Sequence, residues 1–380
     1  MKIQNKSQIE TGPEGSDVPA ILLSMPDLFS PYTLQSITLR NRIGVSPMCM
    51  YSAQDGVAND WHLVHLGARA AGGAGLVIAE ATAVAPEGRI SPGDLGLWRD
   101  AQIEPSARIN RFIKAQGAVP AIQLAHAGRK ASAALPWEGG AHLVSEAGGW
   151  ETIAPSAVAF GEALDKVPRA MTTADIARVQ ADFAAAARRA LAAGYEWIEL
   201  HAAHGYLAHQ FLSPIANQRT DDYGGSFENR IRFVVETARA VRTVWPERLP
   251  LTARLSCTDW VDGGWTLDES VELARRLKTE GVSLIDCSSG GLVGHAKIPT
   301  GPGYQVPFAE RIRRDAQIAT AAVGLITDPA QADEIIRSGK ADLILMARAE
   351  LSDPNWPLHA SRVLGRSEVL EPPRQYSRAF

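Results

Sequence analysis

Eight short apolar runs recur along this chain, each followed by a longer stretch of helical period. They are RIGVSP (42–47), GLVIAE (75–80), VPAIQL (119–124), YEWIEL (195–200), LPLTARL (249–255), VSLIDCS (282–288), IATAAVG (318–324) and DLILMA (342–347). Continuous rather than alternating hydrophobicity belongs to strands covered on both faces, as in a parallel sheet. The segments between them, such as SFENRIRFVVETARAVRTVW and TLDESVELARRLKTEG, carry Ser, Thr or Asp at their starts, and several end in Gly. Those are helix start and stop signals. Eight such units predict an α/β chain folded as a single-domain (β/α)8 TIM barrel. A doubly wound open sheet competes, but no GxGxxG follows the first run. Residues 125–172 form an insertion rich in Gly, Pro, Ser and Trp between the third strand and its helix, and are expected to cap the barrel.

Charge narrows the function. With 38 Lys and Arg against 42 Asp and Glu, the net charge is −4, and no basic stripe offers itself to phosphates. Nucleic acid is therefore not an expected partner. The three cysteines, Cys49, Cys257 and Cys287, form no CxxC pair, which excludes a disulfide scaffold and a cysteine-held zinc or iron–sulfur site. A reducing, cytoplasmic setting is expected. No apolar run reaches the roughly 18 residues of a membrane span. Residues 1–25 are polar and punctuated by Gly and Pro, and are expected to be a loose extension ahead of a barrel over 26–365 and a tail over 366–380.

In such barrels the active site is built where strands end. The strand ends here read SPMCMYS, EATAV, QLAHAGRK, HAAHGY, ARLSCTDW, CSSGG, GLITDP and MARAEL, a concentration of polar groups that stability alone does not need. Gly324 and Arg348 sit at the seventh and eighth ends, the two loops where barrels commonly seat a phosphate, and the helix after Gly324 is expected to aim its N–H groups at the mouth. The spacing of His201 and His204 fits one face of a helical turn. Three uses remain open for them: a metal pair, for which a third ligand is not evident; satisfied structural groups; or two N–H donors gripping one oxygen, with Tyr206 nearby to give a proton. His62 and His65 are expected to pack or lie at the surface, and Cys257 and Cys287 to be structural.

Taken together, TLRNRIGVSPMCMYS, DWHLVHLGARAAGGAGLVIAEATAV, IQLAHAGRKA, LHAAHGYLAHQFLSPIANQRTDDYGGSFENRIRF and ARLS resemble the Old Yellow Enzyme family of FMN-dependent ene-reductases, over about residues 27–380. Cys49 with Tyr51, and the ending QYSRAF, resemble its thermophilic-like subgroup. The resemblance implies non-covalent FMN, reduced by NADPH or NADH, on the barrel mouth. Ser46, Pro47, Met48 and Cys49 match positions lining the flavin ring, and Ala81 and Gln123 match contacts to its pyrimidine side. Arg254 matches the cation beside the ring, and Gly324, Ala347 and Arg348 match the phosphate site. His201 and His204 match the pair that binds the carbonyl or nitro oxygen of an activated alkene. Tyr206 stands at the proton donor's position, and Cys49 beside the flavin's reactive edge. Tyr51 would help bind the substrate oxygen. Arg378 would reach a neighbouring subunit's site in a homodimer or homotetramer. Two positions depart from the pattern: Ala347 replaces a glycine before the phosphate Arg, and Ala379-Phe380 replaces Gly-Trp. A metal-dependent barrel hydrolase, a silent flavin-binding protein and a dienoyl-CoA reductase are the alternatives. The last normally carries a cysteine-rich cluster domain.

Overall fold

A computed structural model describes residues 25–380; the extension expected over 1–25 lies, but for Met25, outside the described residues. A short antiparallel hairpin comes first, β1 (Tyr32–Leu34) and β2 (Ile37–Leu39). Eight parallel strands then close into a barrel. In chain order these are β3 (Ile43–Val45), β4 (Leu76–Ala83), β5 (Val119–Ala125), β8 (Trp197–Ala202), β9 (Leu251–Ser256), β10 (Leu284–Ser288), β11 (Ala319–Ala322) and β12 (Leu343–Met346). The last pairs with the first, Leu345 opposite Gly44, and this completes the ring. All eight apolar runs are strands, so the (β/α)8 expectation holds.

Helices cover the outside: α1 (Asp60–Ala71), α2 (Ile103–Ala115), α3 (Thr173–Ala192), α5 (Phe227–Arg242), α6 (Leu267–Thr279), α7 (Val306–Ala316), α8 (Pro329–Arg337) and α10 (Trp356–Val363). Two short helices, α4 (Leu207–Leu212) and α9 (Arg348–Ser352), follow the fourth and eighth barrel strands. The insertion after β5 is irregular, with three single 3₁₀ turns and a two-residue strand pair, β6 (Ile153–Ala154) and β7 (Arg169–Ala170).

Strand alternation sorts side chains into two cores. Val77, Ile122, Ile198, Leu255, Ile285 and Ile344 face the helices in the larger one. Leu76, Ile78, Ala121, Trp197, Leu284 and Leu345 fill the lower barrel. A methyl on Gly44 would stand 2.5 Å from a Leu345 methyl carbon, so glycine is what lets that layer close. Further along the same inward rows stand Gln123, Glu199, His201, Arg254, Asp286 and Ser288. The barrel is thus apolar at one end and polar at the strands' C-terminal end.

Candidate active site

His201 is the last inward residue of β8, and His204 follows in a left-handed turn at φ 57°. The expectation that both lie on one face of a helical turn is corrected: one is on a strand and the other in a tight turn. That turn brings their rings to 5.2 Å at 87°, while Tyr206, the N-cap of α4, stands 4.9 Å from His201 at 76°. His201 Nδ1 accepts the Ala203 N–H at 3.2 Å, which leaves the ring proton on Nε2. Ser288 Oγ lies 2.7 Å from His204 Nε2, and donation from that hydroxyl puts the His204 proton on Nδ1. Burial, helped by the charge of Arg254, holds both imidazoles well below the usual histidine range, so both are neutral single donors. Burial likewise pushes the Tyr206 phenol well above its ordinary value, and it keeps its proton.

The turn is braced from below. Gly205 (φ 74°) donates to His209 Nδ1 at 2.9 Å, and the opposite nitrogen of His209 faces Asp259 at 2.9 Å. A methyl on Gly205 would collide with the Gly291 carbonyl, so the fourth and sixth loops meet only because glycine stands there. Ser256 Oγ accepts the His204 N–H at 2.9 Å and donates to the Gly290 carbonyl at 2.8 Å.

Arg254 is the centre of the barrel-mouth electrostatics. Its Nε lies 3.0 Å from Asp286 on the neighbouring strand, and its Nη1 donates to Ser46 Oγ at 2.9 Å. Gln123 donates to Glu199 at 2.8 Å. Burial first, and then the charge of Asp286, raises Glu199 into the range where it holds its proton, with Arg254 opposing. Burial also raises Asp286. The Arg254 guanidinium therefore faces the mouth, partly balanced by Asp286.

On the first loop, Cys49 is a protonated thiol: burial, with the charges of Asp94 and Glu80, raises it well above its ordinary range. Tyr51 has φ 51° and meets Trp137 of the insertion edge-on at 6.1 Å. Glu80 is the extra residue of a bulge in β4, between Ala79 and Ala81. Its carboxylate accepts the Met50 N–H at 2.9 Å and lies 3.2 Å from His62 Nε2, tying the Pro47–Tyr51 loop to α1. His62 and His65 are both buried, so they pack.

A separate cavity of ≈ 160 Å³ is lined by Arg254, Ser288, Gly324, Ala347 and Arg348. It joins the two loops expected to hold a phosphate. Gly324 (φ 128°) and Leu325 (φ 51°) curl the seventh loop there. The expected helix contribution is corrected: the Asp328 side chain accepts the Ala330 and Gln331 N–H groups, so the N-terminus of α8 is already capped. Ala347 has φ −113°, outside the left-handed region, so its methyl is compatible with the backbone there. The cavity between Arg254 and Arg348 has the size and charge for a phosphate group, and the inward row of polar groups beside it offers partners for the polar edge of a flavin ring. Among the described residues no three His, Cys, Asp or Glu side chains are grouped to hold a metal. Arg378 is exposed on the tail and forms no ion pair among the described residues, so within its own chain it is not drawn into this cluster.

The sequence reading left out Lys130, Ser256, Ser288, Glu80 and Asp286. All lie in the quoted strand ends or on a neighbouring inward row, which was the available signal.

Residues 27–365 match the family described as NADH:flavin oxidoreductase / NADH oxidase. An NADPH dehydrogenase of Listeria monocytogenes is 50% identical over 358 residues, 94% of this chain and 100% of that protein. Among solved structures, the old yellow enzyme homologue from Zymomonas mobilis superposes with a TM-score of 0.75 at 27% identity, over 90% of this chain and 93% of that one. A 2-naphthoyl-CoA reductase complex superposes at 0.81 and 25% identity over 90% of this chain, but this chain spans only 53% of that protein. Among the described residues no helix is long and apolar enough to cross a membrane.

Proposed function

Since the chain belongs to the NADH:flavin oxidoreductase / NADH oxidase family and is an FMN- and nicotinamide-using oxidoreductase, we propose that it reduces the activated C=C bond of α,β-unsaturated carbonyl or nitro compounds. The observation that carries this is the pair of neutral imidazoles, His201 buried and His204 half-buried, set edge-on beside the half-buried, protonated phenol of Tyr206.

His201 Nε2–H and His204 Nδ1–H would donate to the substrate oxygen. Both rings stay neutral because burial disfavours their charged forms, so the donors remain fixed across the working pH range. Their pull on the oxygen makes the alkene β-carbon electron-poor, which is preorganised electrostatic catalysis. FMN held there would supply the hydride for that carbon, with NADPH or NADH as the reductant. Tyr206 gives its phenolic proton to the α-carbon. Gln123, Ala81, Ser46, Pro47 and Met48 would line the ring, with Arg254 supplying the charge beside it. Gly324, Ala347 and Arg348 would hold the phosphate. Cys49 would sit at the ring's reactive edge as a thiol, and Tyr51 would close the pocket beside Trp137. Three free cysteines support a cytoplasmic setting, and the enzyme is expected to act as a homodimer or homotetramer.

The test is anaerobic. FMN-loaded protein is bleached with NADPH or NADH, and 2-cyclohexenone is then added. The oxidised flavin spectrum is expected to return in step with cyclohexanone, and Tyr206→Phe to slow that return roughly 10²–10⁴-fold, as for loss of a general acid. A reduced enzyme that enones leave bleached, with air alone restoring the colour, overturns the assignment.

A further inference from the structure

The QLAHAGRK strand end carries a lysine that the mechanism above does not use. Lys130 leaves the third loop and crosses to the catalytic turn, where its Nζ donates to the His204 carbonyl at 3.0 Å and the Gly291 carbonyl at 3.2 Å. The ammonium lies 5.3 Å from the centre of the Tyr206 ring and 4.5 Å from that of Phe160. No carboxylate pairs with it among the described residues. An ammonium taken out of water without a counter-charge is costly, and two carbonyls and two ring faces only partly offset that. The sites it holds are the two left-handed turns at His204 and Gly291, which meet at Gly205.

We propose that Lys130 is the positioning residue of the site: it pins the His204 turn against the Gly291 turn and sets a positive charge over the ring of Tyr206. This rests on the reading of Tyr206 as proton donor. In that step the phenolic O–H bond breaks, its proton goes to the substrate α-carbon, and the electron pair stays on the phenolate oxygen. A cation over the ring favours the phenolate more than the phenol, and solvent returns the proton afterwards. The pin keeps the His204 N–H aimed at the substrate oxygen while the charge across the ring changes.

The charged and titratable groups around Lys130 are few. Arg129 is on its own turn, and His201, His204 and Tyr206 lie on the segment packed against it. Burial, with Arg129 adding to it, lowers Lys130 to about 8, whereas the two histidines and the phenol are neutral there. The supporting charge is therefore present below about pH 8 and lost above it.

The experiment compares wild type, Lys130→Met and Lys130→Arg as FMN-loaded enzymes, with thermal melting to confirm that each is folded. Two half-reactions are followed by stopped flow: bleaching by NADPH, and re-oxidation by 2-cyclohexenone. Binding of 4-nitrophenolate to the oxidised enzyme, by equilibrium dialysis, reads the two-histidine grip without turnover. In Lys130→Met, re-oxidation is expected to slow roughly tenfold or more and the phenolate to bind roughly tenfold more weakly, with bleaching changed less than about twofold. In wild type, re-oxidation should fall as pH passes about 8. Lys130→Arg, whose charge does not titrate, should remove that limb and restore much of the rate. If both half-reactions fall together, or if the limb persists in Lys130→Arg, the assignment is overturned. Should Lys130→Met not fold, the Lys130→Arg pH profile decides. If Tyr206→Phe re-oxidises at the wild-type rate, the proton-donor reading fails separately, and phenolate binding still judges the pin.

Discussion

At the scale of single residues, the site depends on backbone conformations that most side chains avoid. His204 carries φ 57° with a full side chain, and Gly205 beside it carries φ 74°. A non-glycine residue in that region costs of order 1–3 kcal/mol unless its surroundings enforce it. Here Ser256 holds the His204 amide, Lys130 its carbonyl and Ser288 its ring. Gly205 is less forgiving, because added strain would come with a collision against the Gly291 carbonyl. Gly205→Ala is accordingly expected to lose at least about 1–3 kcal/mol of stability and to impair enone turnover more than nicotinamide-driven bleaching. Urea unfolding and the two half-reactions measured on one preparation check this. An unchanged unfolding midpoint would mean that the sixth loop yields easily.

At the scale of elements, α3 shows how local chemistry seats a helix that covers the barrel. Thr172 caps it, accepting the Asp175 N–H at 3.1 Å, and Asp175 returns the contact by accepting the Thr172 N–H at 2.8 Å. Thr172→Ala is expected to cost about 1 kcal/mol in chemical unfolding, with activity retained. The hydrogen bond from Arg169 is the largest influence holding Asp175 below its usual range. Its folded value is therefore lower than its unfolded one, so its contribution is present at neutral pH and fades as pH falls below the ordinary carboxylate range. The stability penalty of Asp175→Asn should shrink in the same direction, which unfolding midpoints at neutral and acidic pH would register. The same element scale explains what could be read in the sequence. The eight barrel strands were legible because burial on both faces leaves an unbroken apolar run. The β1–β2 hairpin was not, because three-residue strands are too short for alternation to register. β4 runs on to Ala83, past the expected end at Glu80, because a bulge absorbs that carboxylate. The members of the site could be named from strand ends, but not the turn at His204, since a spacing of three fits a helical turn equally well. The contact between Arg254 and Asp286 needs the register of two strands 32 residues apart in the chain, which periodicity does not supply.

At the scale of the whole molecule, the open term is how one chain's tail relates to another's site. Phe380 stacks on His359 at 5.4 Å and lies under Arg362 at 4.7 Å, both of α10 in its own chain. The phenyl ring thus takes an anchoring place on its own subunit, although the Gly-Trp ending of the resembling subgroup is absent. Arg378, two residues earlier, is exposed. If it completes a neighbour's substrate pocket, activity depends on assembly. Specific activity of the wild type is then expected to fall on dilution in step with the oligomer measured by sedimentation. Arg378→Ala should start from a raised KM and show a weaker dilution effect, because its pocket lacks the guanidinium whether assembled or not. Phe380→Ala separates anchoring from contact. Freeing the tail should raise KM as well, while leaving the oligomer intact, since loss of the anchor costs Arg378 its preorganisation rather than its charge. Dilution that dissociates the oligomer without changing KM would show that each subunit works alone, and would remove Arg378 from the site.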